Sequence, residues 1–282
     1  MKMEEDAPAS FMEYFEKNRN NTKRRLNILV AEDNGTNRLI LAKILQRAGH
    51  SVDLVTNGDE ALDWLEIKSY DLAILDMNMP VVTGPEVTKI YRATTAVESR
   101  IPMIILTANA TIDAQQECEE AGVDAFLTKP IDAYALLDTV AKLTSTRQKN
   151  IPEFKGRSPT ETNTGKITFL NENTLDQLKL LGGVNENFVA NVIQGFFSEG
   201  EQLLSAMKTA LLKHEYGVFK KLLHTLKGSA GNVGAEALFQ VCREISGLNQ
   251  SDLRTSNINL LSKAQSSFNE TRQAMIRYLG AL

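Results

Sequence analysis

The sequence predicts an α/β domain followed by an all-α domain, and two observations carry that prediction. Over residues 26–145, short β-rich apolar runs at 27–31, 51–55, 72–75, 103–106 and 125–127 alternate with amphipathic helix-length stretches at 36–48, 58–68, 84–92, 112–121 and 132–143. Beyond residue 168 only helical patterns remain, at about 173–181, 185–213, 216–230, 235–247 and 255–279. Between the two parts, residues 146–167 hold Asn150-Ile-Pro, Lys155-Gly-Arg-Ser-Pro and Thr160-Glu-Thr-Asn-Thr-Gly165, a linker composition of prolines, glycines and small polar residues.

Each element has a physical reason. Strands this short and mostly apolar, alternating with helices, suit a parallel sheet covered by helices on either face. Five of them alternating with helices predict a doubly wound five-stranded sheet. In the second part, Gly182-Gly183, His214 to Gly217, Gly231 to Gly234 and Gly247 to Asp252 interrupt the helical pattern. Such short connections predict an up-and-down helical bundle over residues 168–282. A chain of 282 residues with 43% apolar content is expected to form two domains with separate cores. Residues 1–25, mostly polar with Phe11, Met12 and Phe15 spaced along one helical face, read as a tether or junction segment.

Composition narrows the function classes. The formal net charge is -4 and no Lys/Arg block dominates, so no electrostatic footprint for nucleic acid is present. No run of about 18 apolar residues exists to span a bilayer, and no membrane contact by this segment is expected. Cys118 and Cys242 each lie within a helical pattern, far apart in sequence, and read as reduced core residues.

In a doubly wound sheet the chemistry gathers beyond the carboxyl ends of the strands. Those positions hold Glu32 and Asp33 after the first strand, Asp76 after the third, Thr107 after the fourth and Lys129 after the fifth. Three carboxylates brought together repel one another, and a hard divalent cation neutralises them; oxygen ligands with room for water favour Mg²⁺. Lys129 suits a phosphate oxygen and the Thr107 hydroxyl adds a hydrogen bond, leaving Asp76 as the nucleophile for an in-line attack on phosphorus.

The second constellation surrounds His224. Phe219, Leu222, Leu223 and Leu226 follow three-and-four spacing and form a buried stripe, with His224 at its margin. Lys220, Lys221, Lys227 and Gly228 fall on the histidine's own face, which is expected to be exposed. A neutral imidazole among ammonium groups suits attack on a phosphoryl group. The small residues Gly228, Ser229, Ala230 and Gly231 keep that surface low, so that another domain can approach. His50 and His214 lack such surroundings and read as structural.

The strings Ile28-Leu-Val-Ala-Glu-Asp-Asn34, Leu75-Asp-Met-Asn-Met-Pro80 with Gly84, Ile105-Leu-Thr-Ala-Asn109 and Phe126-Leu-Thr-Lys-Pro130 together resemble the receiver domain of two-component response regulators, a flavodoxin-like fold. That resemblance implies a metal held by Asp33, Asp76 and the Asn78 backbone carbonyl, with Glu32 acting directly or through water. It also implies Asp76 as phosphoacceptor and Thr107 with Phe126 as a conformational switch. His224-Thr-Leu-Lys-Gly-Ser-Ala-Gly-Asn-Val-Gly234 resembles the histidine phosphotransfer (HPt) motif. It implies His224 as phosphoacceptor, assisted by Lys227 and Gly228, with Glu244 or Ser246 supporting the imidazole.

A receiver followed by an HPt domain resembles the C-terminal part of a hybrid sensor histidine kinase. In that order phosphate passes from an upstream kinase histidine to Asp76, then to His224, then to a downstream response regulator. The strings Asn34-Gly-Thr-Asn-Arg38, Ala48-Gly-His-Ser-Val-Asp-Leu-Val55 and Leu75-Asp-Met-Asn-Met-Pro80 resemble bacterial diffusible-signal-factor sensor kinases in particular. The resemblance implies a cytoplasmic segment of a parent protein anchored in the inner membrane. Neither a phosphate-binding loop nor the Asn-rich and Gly-rich boxes of a histidine kinase core occur, so only phosphotransfer steps are expected of this chain. Two other readings compete. One is a binding module that sequesters a partner under the control of phosphorylation. The other, an aspartyl-nucleophile phosphatase, needs its nucleophile after the first strand, whereas Asp76 follows the third and position 78 is Asn.

Overall fold

The computed structural model describes residues 24–108, 111–145, 169–183, 187–248 and 250–280. Five strands, β1 (Asn27–Ala31), β2 (Ser51–Val55), β3 (Leu72–Asp76), β4 (Met103–Thr107) and β5 (Ala125–Thr128), form one sheet in the order β2-β1-β3-β4-β5. Every pairing is parallel. The register sets Ala31 beside Leu75, Asp76 beside Leu106 and Thr107 beside Thr128. All the chemistry-bearing strand ends therefore emerge on one edge.

The intervening helices are α1 (Gly35–Arg47), α2 (Gly58–Ile67), α3 (Gly84–Thr94), α4 (Ile112–Ala121) and α5 (Ala133–Thr144). Each is opened by a side chain that accepts from its first turn: Asn34, Asn57, Thr83, Asp132 and, for α4, Thr111. Thr83 and Glu86 complete a reciprocal capping box at α3. Caps of this kind contribute about 1 kcal/mol each, and here they also fix where each helix leaves the functional edge.

The bundle comprises α6 (Glu172–Gly182), α7 (Phe188–Leu212), α8 (Tyr216–Asn232), α9 (Glu236–Ser246) and α10 (Gln250–Gly280). Helices α7 to α10 pack in a ring, each against the next and α10 back against α7. Phe196, Phe219 and Phe268 are fully buried at its centre, with the Phe196 and Phe268 rings 5.7 Å apart. Among the described residues, the cap positions of α7, α8 and α9 show no side-chain hydrogen bond to the first turn, and apolar burial, at about 1.5–3 kcal/mol per large side chain, is the main term that holds these helices.

The expectation of separate cores is overturned. One sheet face, with Leu29, Leu75 and Ile105, closes a compact core under α2, α3 and α4. The other face, with Ile28, Val30 and Ile74, is continuous through α1 and α5 with the core of the bundle. The cause is α1, which packs on the sheet and also against α6, α7 and α8. At its far end, the Arg47 guanidinium donates to the carbonyls of Leu180 (2.8 Å) and Leu181 (3.0 Å) and so closes the last turn of α6. Among the described residues no helix is long and apolar enough to cross a membrane. Of the predicted tether 1–25 only its end is described, where Arg24 pairs with Asp71 at 2.8 Å. The linker 146–167 and Asn109 lie outside the described residues.

Candidate functional site

The carboxyl edge of the sheet gathers Glu32, Asp33 and Asp76 so that one oxygen from each lies within 4.8 Å of the others. Lys129 enters from the end of β5, its ammonium 2.7 Å from Glu32 Oε2 and 3.0 Å from Asp76 Oδ2. The local backbone explains these positions. The Lys129 amide donates to the Thr107 carbonyl (2.7 Å), extending the β4–β5 pairing by one residue, and Arg38 Nη1 donates to the carbonyls of Glu32 (2.7 Å) and Asp33 (3.1 Å). Gly84 permits the return of the chain after β3, because a Cβ there would strike the Asp76 carbonyl oxygen. The Asn78 amide lies 3.4 Å from Asp76 Oδ1, donating to it.

Three carboxylates face one ammonium, so the pocket is over-supplied with negative charge. Burial pushes the Glu32 and Asp76 carboxyls up; Lys129 opposes this at both, while the charge of Asp76 adds to the rise at Glu32 and that of Asp33 to the rise at Asp76. Asp33 is raised to about 6, by burial and then by Glu32. Lys129 is held above its ordinary value: burial disfavours its charge, but Asp76 and Glu32 more than offset that. Clustered hard oxygen donors with excess negative charge fit a divalent cation.

His224 approaches this edge from the bundle. Helix α8 lies against the corner that carries Lys129 and Pro130: a Cβ on Gly228 would be 3.5 Å from Lys129 Cδ, and one on Gly231 would be 3.0 Å from Pro130 Cβ. Lys227 Nζ is 3.5 Å from the Ala108 carbonyl, just past β4. Farther along α8, the Asn232 carboxamide accepts from the Ile131 amide (2.7 Å) and donates to Asn37 Oδ1 (2.7 Å). Asn37 in turn donates to Glu32 Oε1 at 2.9 Å. A hydrogen-bonded line thus runs from the bundle into the acidic pocket. The half-buried His224 imidazole is pushed down to about 4, by burial and then by the charges of Lys227 and Lys129. It is neutral and available as a nucleophile at neutral pH.

Several expectations change. The face of Lys227 and Gly228 is not exposed: Lys227 is 5% exposed and Gly228 is buried, with Ala108 and Lys129 of the sheet edge against them, while Ala230 is buried in the core. Lys220 and Lys221 do remain exposed. Neither suggested supporter reaches the imidazole: Glu244 pairs with Lys263, and the Ser246 hydroxyl donates to the Cys242 carbonyl. Thr107 is buried at the end of β4, and Phe126 is half-buried against the core under α2 to α4. His50 is buried away from the edge, and His214 lies 3.3 Å from the Tyr216 hydroxyl. Both cysteines are buried and free, their thiols pushed up by burial to about 11 for Cys118 and about 12 for Cys242. Residue types alone did not single out Asn37, Arg38, Glu199 and Asn232. The first two did lie in the quoted string Asn34-Gly-Thr-Asn-Arg38, and Asn232 in the quoted string from His224 to Gly234.

Comparison with known proteins identifies the two parts of the chain. Residues 28–141 match the response regulator receiver domain and residues 191–275 match the Hpt domain. The chain therefore joins a receiver domain to an Hpt domain, the combination of two-component phosphorelay signalling. Among its relatives, the sensory/regulatory protein RpfC of Xanthomonas campestris pv. campestris is 32% identical over 213 residues, covering 75% of this chain and 29% of that protein. The aerobic respiration control sensor protein ArcB of Escherichia coli is 28% identical over 221 residues, covering 78% of this chain and 27% of that one. The chain spans under a third of the length of these relatives. Of solved structures, the receiver domain of sensor histidine kinase PA1611 from Pseudomonas aeruginosa PAO1, with a magnesium ion in its active site cleft, is 31% identical. It covers 43% of this chain and 98% of that chain, with a TM-score of 0.40.

Proposed function

We propose that this chain forms two consecutive stations of a phosphorelay, in which Asp76 receives a phosphoryl group from a kinase histidine and His224 takes it from Asp76 of the same chain. The observation that carries this reading is the docking of α8 on the Lys129–Pro130 corner, where a Cβ on Gly228, one turn from His224, would lie 3.5 Å from Lys129 Cδ.

In the first step an Asp76 carboxylate oxygen attacks phosphorus, the donor's N–P bond breaks, and the donor imidazole departs. In the second, a neutral nitrogen of His224 attacks the same phosphorus, the bond to the Asp76 oxygen breaks, and the carboxylate is restored. Lys129 and the Thr107 hydroxyl hold phosphoryl oxygens in both steps, and Lys227 offsets charge on the histidine side. A divalent cation, Mg²⁺ by its preference for oxygen donors, would be held by Asp33, Asp76, the Asn78 carbonyl and Glu32, and would neutralise the phosphoryl oxygens. Movement of Thr107 with Phe126 would report the phosphorylated state. The upstream donor is a histidine kinase core, in the parent polypeptide of a hybrid kinase anchored in the inner membrane with this part in the cytoplasm; the final acceptor is a separate response regulator. Docking within one chain replaces a bimolecular encounter by an effective concentration in about the millimolar range.

The test supplies acetyl phosphate and Mg²⁺ to the wild type, Asp76→Asn and His224→Gln, and separates aspartyl phosphate, which alkali and hydroxylamine cleave, from phosphohistidine, which is labile in acid but stable in alkali. Histidine labelling is expected in the wild type at a rate independent of protein concentration. It should vanish in Asp76→Asn, while aspartyl phosphate accumulates in His224→Gln. Histidine labelling that persists without Asp76 would overturn the relay.

A further inference from the structure

Apart from Asn37, which donates to Glu32 at the acidic pocket, the string Asn34-Gly-Thr-Asn37 plays no part in the phosphoryl chemistry described above, yet each of its residues meets the bundle. Glu199 of α7 points at the first turn of α1. Its Oε2 accepts from Asn34 Nδ2 (2.8 Å) and from the Thr36 hydroxyl (2.7 Å), and its two oxygens face the Thr36 amide at 3.2 and 3.3 Å. Gly35 is part of the same contact, since a Cβ at that position would lie 2.6 Å from Glu199 Oε1. Opposite Thr36 is Gly195, where a Cβ would come within 3.2 Å of the Thr36 hydroxyl. Asn37 is matched by Asn232, which is 5% exposed and whose carboxamide both donates and accepts across the boundary.

We propose that Glu199 and Asn232 select the receiver that this bundle serves, by reading the first turn of the receiver's first helix. The chemistry defines the partner. It must offer a carboxamide at the cap, a residue without a side chain next, a hydroxyl third and a carboxamide fourth. A Glu reaching an α-helix N-terminus is favoured by the helix dipole and by charge-assisted hydrogen bonds. The same carboxylate rejects receivers with a bulky second residue by collision and those with an apolar third residue by leaving its own oxygen unmatched. A downstream receiver must use this same face to reach His224, so it is expected to carry the same pattern.

This inference rests on the proposed transfer from Asp76 to His224, and the test keeps the two apart. In the full chain, Glu199→Ala, Gly35→Ala and their combination are compared for His224 labelling from acetyl phosphate. Asp76 labelling serves as the measure of receiver integrity, and exchange of the Thr36 amide with solvent reads the contact without any phosphoryl group. Each single variant is expected to slow His224 labelling about ten-fold. The double variant should be no slower than Glu199→Ala alone, because the added methyl collides only with the missing carboxylate. Asp76 labelling should be unchanged and Thr36 amide protection reduced in Glu199→Ala. Additive losses, wild-type labelling of His224 in Glu199→Ala, or reduced Asp76 labelling in that variant would each overturn the inference. Failure of the wild type to label His224 would instead remove the relay, and retained amide protection in Glu199→Ala would then also remove the recognition contact.

Discussion

The two acceptors are built in opposite ways. Asp76 sits among buried charges contributed by three strand ends, whereas His224 lies at the margin of a helix face whose apolar stripe is Phe219, Leu223 and Leu226, with Lys227 and Asn232 as its buried polar neighbours. The difference is that an acyl phosphate site needs a dedicated pocket, while a phosphohistidine site can share one. Lys129 is the shared element: it pairs with Asp76 and Glu32 and also lowers the imidazole of His224.

Removing that shared element should therefore disable both sites. Lys129→Ala is expected to slow aspartyl and histidine labelling together by on the order of 10²–10³-fold, as expected for loss of a charged group that stabilises the transferring phosphoryl. It also leaves Glu32 and Asp76 buried without their cation, so urea unfolding in the absence of divalent metal should show a loss of about 3–5 kcal/mol. If only aspartyl labelling fell, with histidine labelling of the remaining phosphorylated fraction unaffected, the shared pocket would be refuted.

The next largest effect is on pH, where the two acceptor regions respond with opposite sign. In the docked chain His224 is pushed down to about 4 from an ordinary 6.5 by burial, then by Lys227 of its own helix and by Lys129 across the boundary. The parts owed to covering by the sheet edge and to Lys129 make docking exclude a proton. The neutral form is present above 6.5 in both docked and undocked states and no penalty arises there. As pH falls from 6.5 toward 4 the undocked imidazole takes up a proton that the docked one refuses, and docking weakens. Transfer to His224 should fall between pH 7.5 and 5.5, by at most about ten-fold, and an NMR titration of the ring should give its docked value near 4. Asp33, raised to about 6 from 3.8, does the reverse in the metal-free protein. Its charge costs stability above that range, and the cost is relieved as pH falls through 6. Asp33→Asn should accordingly stabilise the metal-free chain at pH 7 by about 1 kcal/mol after allowance for solvent screening. It should also abolish the stabilisation that Mg²⁺ gives the wild type, both read by thermal unfolding.

These contrasts also mark what the sequence made legible. Strands such as Leu72–Asp76 are buried along their whole length, and a continuous apolar run records that directly. The acidic pocket followed, because parallel topology sends every strand end to one edge. Docking was hidden for a different reason. Periodicity assigns the faces of a helix relative to its own bundle, so Lys227 was expected on an exposed face and Glu199 had no marker distinguishing it from a solvent-facing acid. The partners Glu199–Thr36 and Asn232–Asn37 are 163 and 195 residues apart in sequence. No local pattern records a contact at such separations.

The smallest predicted effect concerns the glycines that the sequence marks as keeping the histidine surface low. They are not equivalent. A Cβ on Gly228 would meet Lys129 Cδ at an ordinary van der Waals distance of 3.5 Å, whereas one on Gly231 would press on Pro130 Cβ at 3.0 Å and on Phe239 Cδ2 at 3.2 Å. Pro130 adjoins Lys129 and cannot yield without moving it. Gly228→Ala should therefore leave the rate of His224 labelling within about two-fold and raise bundle stability by up to about 1 kcal/mol through helix propensity. Gly231→Ala gains the same propensity and should still slow labelling several-fold by lifting α8 off the corner. Equal effects of the two substitutions on transfer would mean that a low surface, rather than contact with the Lys129–Pro130 corner, is what His224 requires.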